Sequence, residues 1–134
     1  MAYRIGENVQ VSKTISETDV YLFAGISGDF NPVHVNKVEA EDSIFGKQIA
    51  HGFLVGSLLS NAIGMRLPGP GTIYMEQDMK FKKPVHIGDT VTAKLEVSEI
   101  LNEEKRILKL TTQVVNQHGD LVIDGYAVVK APEN

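Results

Sequence analysis

GFLVGSLLSNAIGM, residues 52–65, is an uncharged stretch with apolar side chains on almost every face of a helical wheel. Fourteen residues make about four turns of helix, roughly 20 Å at 1.5 Å per residue. A helix without a polar stripe must be surrounded by protein. LPGPGT follows at 67–72, where Pro68, Gly69, Pro70 and Gly71 end any helix. Beyond it the period changes from helical to alternating. In TVTAKLEVSEI (90–100), Val91, Ala93, Leu95 and Val97 fall on one face, and Thr92, Lys94, Glu96 and Ser98 on the other. Similar runs at 106–115 and 121–130 are joined by a turn at Gln117, His118, Gly119 and Asp120. With strands at 73–81 and 9–14, the pattern predicts an antiparallel sheet of about five strands whose apolar face needs a cover. The 52–65 helix is the candidate for it. The predicted class is α+β, a single domain over 1–134 with an antiparallel sheet wrapped around a long central helix. Residues 131–134 read as a loose tail.

Composition narrows the function. The chain has 134 residues, 43% of them hydrophobic, which suffices for one core but not two ordinary domains. It has no cysteine, so disulfides, thiolate catalysis and Cys-ligated metal centres are excluded. The opening MAYRIGENVQV lacks the basic head, apolar core and cleavage pattern of a signal peptide. No apolar run reaches the roughly 18 to 20 residues needed to cross a bilayer. A soluble, cytoplasmic protein without membrane contact is expected. A formal charge of −4, with 13 scattered Lys and Arg, argues against nucleic acid as a partner.

Upstream of the central helix lies the chemistry. Ser16 is placed to cap a helix SETDVYLFAGIS, with Glu17 and Asp19 in its first turn, Val20, Phe23, Ala24 and Ile26 as its apolar face, and an end near Gly25 to Gly28. A shorter helix is predicted at 36–43. Between them stands SGDFNPVH (27–34), in which Asp29 and His34 are five residues apart, and AHG (50–52) opens the central helix. Asp29 and His34 are both groups suited to proton transfer, and Pro32 stands between them. Pro32 restricts its own φ and drives Asn31 toward extended geometry, giving a stiff loop able to aim two side chains at one point.

These residues carry a resemblance. GISGDFNPVHVNKVEA, FGKQIAHGFLVGSLLS and KFKKPVHIGDTV are similar to the MaoC-like branch of the hot-dog fold, specifically the short (R)-specific enoyl-CoA hydratases. The likeness spans essentially the whole chain, with the G-D-x-N-P-x-H core, Ala40 six residues after the histidine, and A-H-G all in register. The resemblance implies a hot-dog fold and a homodimer, or a higher oligomer, with sheets joined edge to edge. It also implies reversible syn hydration of a trans-2-enoyl-CoA to an (R)-3-hydroxyacyl-CoA in fatty-acid or short-chain acyl-CoA metabolism. Coenzyme A enters as part of the substrate, and no other cofactor and no metal are expected.

Water addition to a conjugated thioester needs a base for the water, an acid for the α carbon and a donor for the developing enolate oxygen. Asp29 is assigned the water and His34 the relay of a proton to the α carbon, acting as a coupled pair. Gly52, with an unpaired N–H at the positive end of a buried helix, is the candidate oxyanion donor. Asn31, His51 and Ser57 are candidates for the surrounding shell or for substrate contact. Asn31 serves the site or only the turn, and Ser57 the site or only packing. His86 and His118 fall in turns and are expected to be solvated. Lys80, Lys82 and Lys83 suit either coenzyme A phosphates at a tunnel mouth or a charged strand edge. Tyr74, Met75 and Phe81 suit either an acyl pocket or plain core. Two other activities stay open: another enzyme on this fold, a 3-hydroxyacyl-[acyl-carrier-protein] dehydratase or a thioesterase, and a non-catalytic acyl-thioester binding module.

Overall fold

The computed structural model describes residues 3–133. The strands β1 (Asn8–Thr14), β2 (Ile73–Phe81), β3 (Thr90–Asn102), β4 (Ile107–Val115) and β5 (Leu121–Lys130) form one antiparallel sheet in the order β1-β3-β4-β5-β2. Helices α1 (Glu17–Ser27), α2 (Pro32–Val35), α3 (Lys37–Glu41) and α4 (Gly52–Met65) all come between β1 and β2. Alternation in β3 puts Val91, Ala93, Leu95 and Val97 into the core, as expected from the sequence. Register carries this face across the sheet, since Val97 pairs with Leu110, Leu110 with Ala127, and Val114 with Ile123. A residue and its direct antiparallel partner share a face, so correct pairing buries all of these together.

α4 lies across that face. Val55, Leu58, Leu59, Ala62 and Ile63, spaced three and four residues apart, are buried against the sheet. At about 1.5–3 kcal/mol for each fully buried large aliphatic side chain, this stripe is what fixes the helix to the sheet. The arrangement is the hot-dog fold. One expectation needs correction, because α4 is not surrounded on every side. Phe53 and Met65 are each 66% exposed, and Ser57, Ser60 and Asn61 share their open side. A single sheet covers one side of a helix, and among the described residues nothing covers the other.

α1 begins as its sequence predicts. The Ser16 hydroxyl accepts the Asp19 N–H at 3.0 Å, and the Asp19 carboxylate accepts the Ser16 N–H at 2.9 Å, closing a capping box. That backbone N–H holds the Asp19 carboxyl below its ordinary range. The helix stops at Gly28, whose φ of 80° is a left-handed conformation that glycine adopts without strain. The reversal there delivers Asp29 to the mouth of α4. Val20 and Ala24 are buried as expected, whereas Ile26 is 83% exposed, since the stripe facing the core is too narrow to include it.

The stiff loop at 29–34 is in part a helix. Asn31 caps the single turn α2, with Pro32 at its first position, where a missing N–H costs nothing. The predicted helix at 36–43 is shorter, running Lys37–Glu41 with Asn36 as its cap. Ala131 is not part of a loose tail. It is 1% exposed, its N–H donates to the Arg106 carbonyl at 2.8 Å, and its own carbonyl accepts from Arg106 Nε at 3.1 Å. Asn134, the end of that predicted tail, and Met1 and Ala2 of the opening segment lie outside the described residues. Among the described residues no helix is long and apolar enough to cross a membrane.

Candidate active site

Asp29, His34, His51 and Gly52 line one cavity of about 570 Å³ at the N-terminal end of α4. Asp29 arrives from the Gly28 reversal, and its carboxylate accepts the Asn31 N–H at 3.1 Å. Its side chain is exposed to the cavity side of the molecule, while His34 is only 8% exposed. The His34 ring is aimed by one hydrogen bond, from Nδ1–H to the carbonyl of Ile49 at 2.7 Å. A carbonyl can only accept, so the hydrogen sits on Nδ1 and the neutral ring keeps a bare lone pair on Nε2. The 48–50 segment that supplies this carbonyl is itself fastened. Ile49 N–H donates to Val33 O at 3.1 Å, and Ala50 N–H to Val85 O at 2.7 Å.

His51 touches both members of the pair. Its Nε2–H donates to the backbone carbonyl of Asp29 at 2.9 Å, and its ring stacks on that of His34 with centroids 3.9 Å apart and planes 27° apart. Phe23 closes the other side at 4.9 Å. Nδ1 of His51 is buried without a hydrogen-bond partner. Asp29, His34 and His51 together offer three donor atoms within 4.8 Å of one another. Both histidines have the opposite nitrogen bonded to a backbone carbonyl, as metal ligands do. In stacked rings, however, the in-plane lone pairs run side by side rather than converge. The trio would hold a tetrahedral ion only if one ring turned, and the geometry as it stands serves hydrogen bonding and proton transfer.

Gly52 is glycine because of what lies over it. A Cβ at this position would stand 2.7 Å from Cε1 and 2.9 Å from Cδ1 of Phe81. Its N–H opens α4, and the side chain of the preceding cap residue, His51, does not bond back to the first turn. The positive end of the helix therefore faces the cavity at a residue that adds no side chain of its own.

The rest of the lining is apolar, with Phe45, Ile49, Val55, Val85, Val122 and Ile123 among it. Sequence patterns read these as core or as loop, and nothing local marks Ile49 as the residue whose carbonyl orients His34. Two of the candidates for the surrounding shell, Asn31 and Ser57, are not brought to the cavity. Asn31 caps α2, its side-chain oxygen accepting the Val33 N–H at 3.4 Å, so its service is to the turn. Ser57 is on the open face of α4 and donates to Leu54 O at 2.5 Å. Phe81 lines the cavity, whereas Tyr74 and Met75 lie on the exposed edge strand. Lys82 and Lys83 line it as well, the latter paired with Asp120 at 3.3 Å, while Lys80 turns to Asp78 at 2.7 Å. His118 is exposed. His86 is not solvated as its turn predicts, because it is half-buried and its Nε2–H donates to the Phe45 carbonyl at 3.1 Å.

Gly52→Ala tests the close approach at the helix entry. The Phe81 ring is expected to be displaced from α4 in a crystal structure of the variant, at a cost of no more than about 1–3 kcal/mol in thermal unfolding. A ring in its original place with unaltered stability would contradict the steric account.

Known proteins resemble the chain along nearly all of it. The MaoC like domain family matches residues 2–118. An (R)-specific enoyl-CoA hydratase of Rhodospirillum rubrum is 49% identical over 127 residues, covering 95% of this chain and 87% of that one. One of the same name from Aeromonas caviae is 44% identical over 128 residues, covering 96% and 95%. The solved structure of the (R)-hydratase from A. caviae involved in PHA biosynthesis superposes with a TM-score of 0.94 at 43% identity, covering 98% of each chain. A family match over most of the length, joined to relatives this similar, settles the grouping: the chain belongs to the MaoC-like domain family.

Proposed function

We propose that the protein is an (R)-specific enoyl-CoA hydratase, a hydro-lyase that reversibly adds water across the double bond of a trans-2-enoyl-CoA to give an (R)-3-hydroxyacyl-CoA. The observation that carries this reading is the meeting of the Asp29 carboxylate and the Nε2 side of His34 in an apolar cavity that opens at the first residue of α4. The coenzyme A substrate and the (R) outcome are supported by the names of the relatives.

In the hydration direction a water held between Asp29 and His34 gives up one proton to the pair as its oxygen bonds to C3. The π electrons move toward the thioester carbonyl, and C2 takes one proton back from the pair, so the pair ends with as many protons as it began with. Asp29 acts as the base, and His34 shares the water and relays the proton. Nε2 accepts in the neutral ring and donates in the protonated one, so the proton that Asp29 takes from the water is relayed to C2 through an atom that the Ile49 bond keeps facing the cavity. The N–H of Gly52, at the helix terminus, donates to the enolate oxygen as charge develops there. His51 orients both partners through the Asp29 carbonyl and the stack on His34. This is acid–base chemistry within one substrate and water, and it calls on no cofactor and no metal. Coenzyme A thioesters are metabolites of the cytoplasm, where we place the protein.

A homodimer is part of the same proposal. β2 is an edge strand with Ile73 58% and Met75 54% exposed, and the open face of α4 adds Phe53 and Met65. Unpaired apolar edges of this kind are ordinarily covered, and a second copy joined edge to edge through β2 would cover them. Sedimentation should give twice the 14.7 kDa chain mass or a multiple of that dimer. A monomer at micromolar concentration would contradict the assembly.

The activity is tested by the loss of the conjugated-thioester ultraviolet absorbance of crotonyl-CoA, with the chirality of the product determined. Asp29→Asn and His34→Ala should each lower kcat by at least about 10²-fold, the scale of general acid–base catalysis. A wild type that leaves crotonyl-CoA and longer enoyl-CoAs untouched would overturn the reading and direct attention to carrier-protein thioesters.

A further inference from the structure

α2 is four residues long, and a helix of one turn has no stability of its own. The orientation of His34 therefore depends on what holds that turn from outside. Ile49 supplies two bonds, its N–H to the Val33 carbonyl at 3.1 Å and its carbonyl to His34 Nδ1–H at 2.7 Å. A third comes from a side chain outside the cavity lining. Gln48 Nε2 donates to the backbone carbonyl of His34 at 2.8 Å and to the Tyr21 hydroxyl at 3.1 Å. An amide nitrogen carries two hydrogens, so both bonds are made at once. Tyr21 belongs to α1, and Gln48 thus ties α1 to α2 through the histidine itself. Its own backbone is anchored on the opposite side, where Ile87 N–H donates to the Gln48 carbonyl at 3.3 Å.

We infer that Gln48 is a positioning residue for His34, holding the backbone of the histidine while Ile49 holds the ring. The two constraints act on different atoms of one residue. The Ile49 bond fixes the tautomer but permits the ring to swing about the Nδ1–O axis if α2 tilts. The Gln48 bond removes that tilt. The His34 carbonyl, which can only accept, selects the N–H end of the amide, and the Tyr21 hydroxyl accepts the second N–H.

This inference rests on the hydratase reading, and the test separates the two. Steady-state hydration of crotonyl-CoA would be measured for wild type, Gln48→Leu, Gln48→Glu, Gln48→Arg and Tyr21→Phe, with crystal structures of wild type and Gln48→Leu. Leu keeps bulk without a donor, and Glu presents oxygen to the carbonyl. Both should lower kcat by about ten- to a hundredfold, as misplacement of a catalytic group does, with KM within about twofold of wild type. Arg, which restores N–H donors, should return kcat to within a few fold of wild type, and Tyr21→Phe should have the smaller effect of loosening the amide. The His34 ring should be turned in the Gln48→Leu crystal. A Gln48→Leu enzyme with wild-type kcat overturns the inference, as does an equal fall in all three Gln48 variants, which a merely structural role would give. A His34 ring unmoved in the Gln48→Leu crystal overturns it whatever the activity. A wild type inactive on enoyl thioesters overturns the hydratase reading instead.

Discussion

The hydrogen bond from His34 Nδ1–H to the carbonyl of Ile49, 2.7 Å long and buried, is the constraint on which the site depends. It decides which nitrogen of the ring is left for chemistry, and it does so through a backbone atom whose position is a property of the whole fold. Ile49 and Ala50 bridge to the Val85–Ile87 segment, through Ala50 N–H to Val85 O and the Ile49–His86 pairing. That segment leads into β3, the strand on which α4 packs, and the next residues, His51 and Gly52, start α4 itself. The core of aliphatic side chains between helix and sheet therefore sets the place of one carbonyl oxygen, and through it the aim of one lone pair.

Close packing at the helix entry extends the same logic. Gly52 has no side chain because the Phe81 ring occupies the space, and its bare backbone lines the cavity at the positive end of α4. His51 caps that helix without a side-chain bond to it and uses its ring to join Asp29 to His34. A terminal residue that leaves its own helix uncapped gives up some local stability, of the order of 1 kcal/mol. Functional sites are where such local rules are broken.

Much of this was legible in the residues. The fourteen-residue span of α4 and the alternation of β3 follow from apolar spacing alone, because the sheet buries one face and the helix one stripe. Ser16 and Gly28 mark the ends of α1 by local chemistry that needs no tertiary contact. Asp29, His34 and Gly52 stand out through the G-D-x-N-P-x-H and A-H-G patterns, and the fold brings all three to one cavity. What escaped depends on contacts distant in sequence. The burial of Ala131 comes from Arg106, the fixing of His86 from Phe45, and the tautomer of His34 from Ile49. α2 escaped for a different reason, since Asn-Pro reads as a turn and a single helical turn has no periodicity to detect. The open face of α4 could not be read at all, because an all-round apolar helix does not say whether its own chain or another covers it.

The central claim is that the fold presents Nε2 of His34, bare, beside Asp29. Long-range ¹H–¹⁵N correlation spectra of the histidine rings, assigned with His34→Gln and His51→Gln variants at a pH where His34 is neutral, test it most directly. The account predicts a His34 ring with hydrogen on Nδ1 and none on Nε2, together with the opposite tautomer for His51. A neutral His34 carrying its hydrogen on Nε2 would mean that the Ile49 carbonyl does not orient the ring, and the account of the site would fail with it.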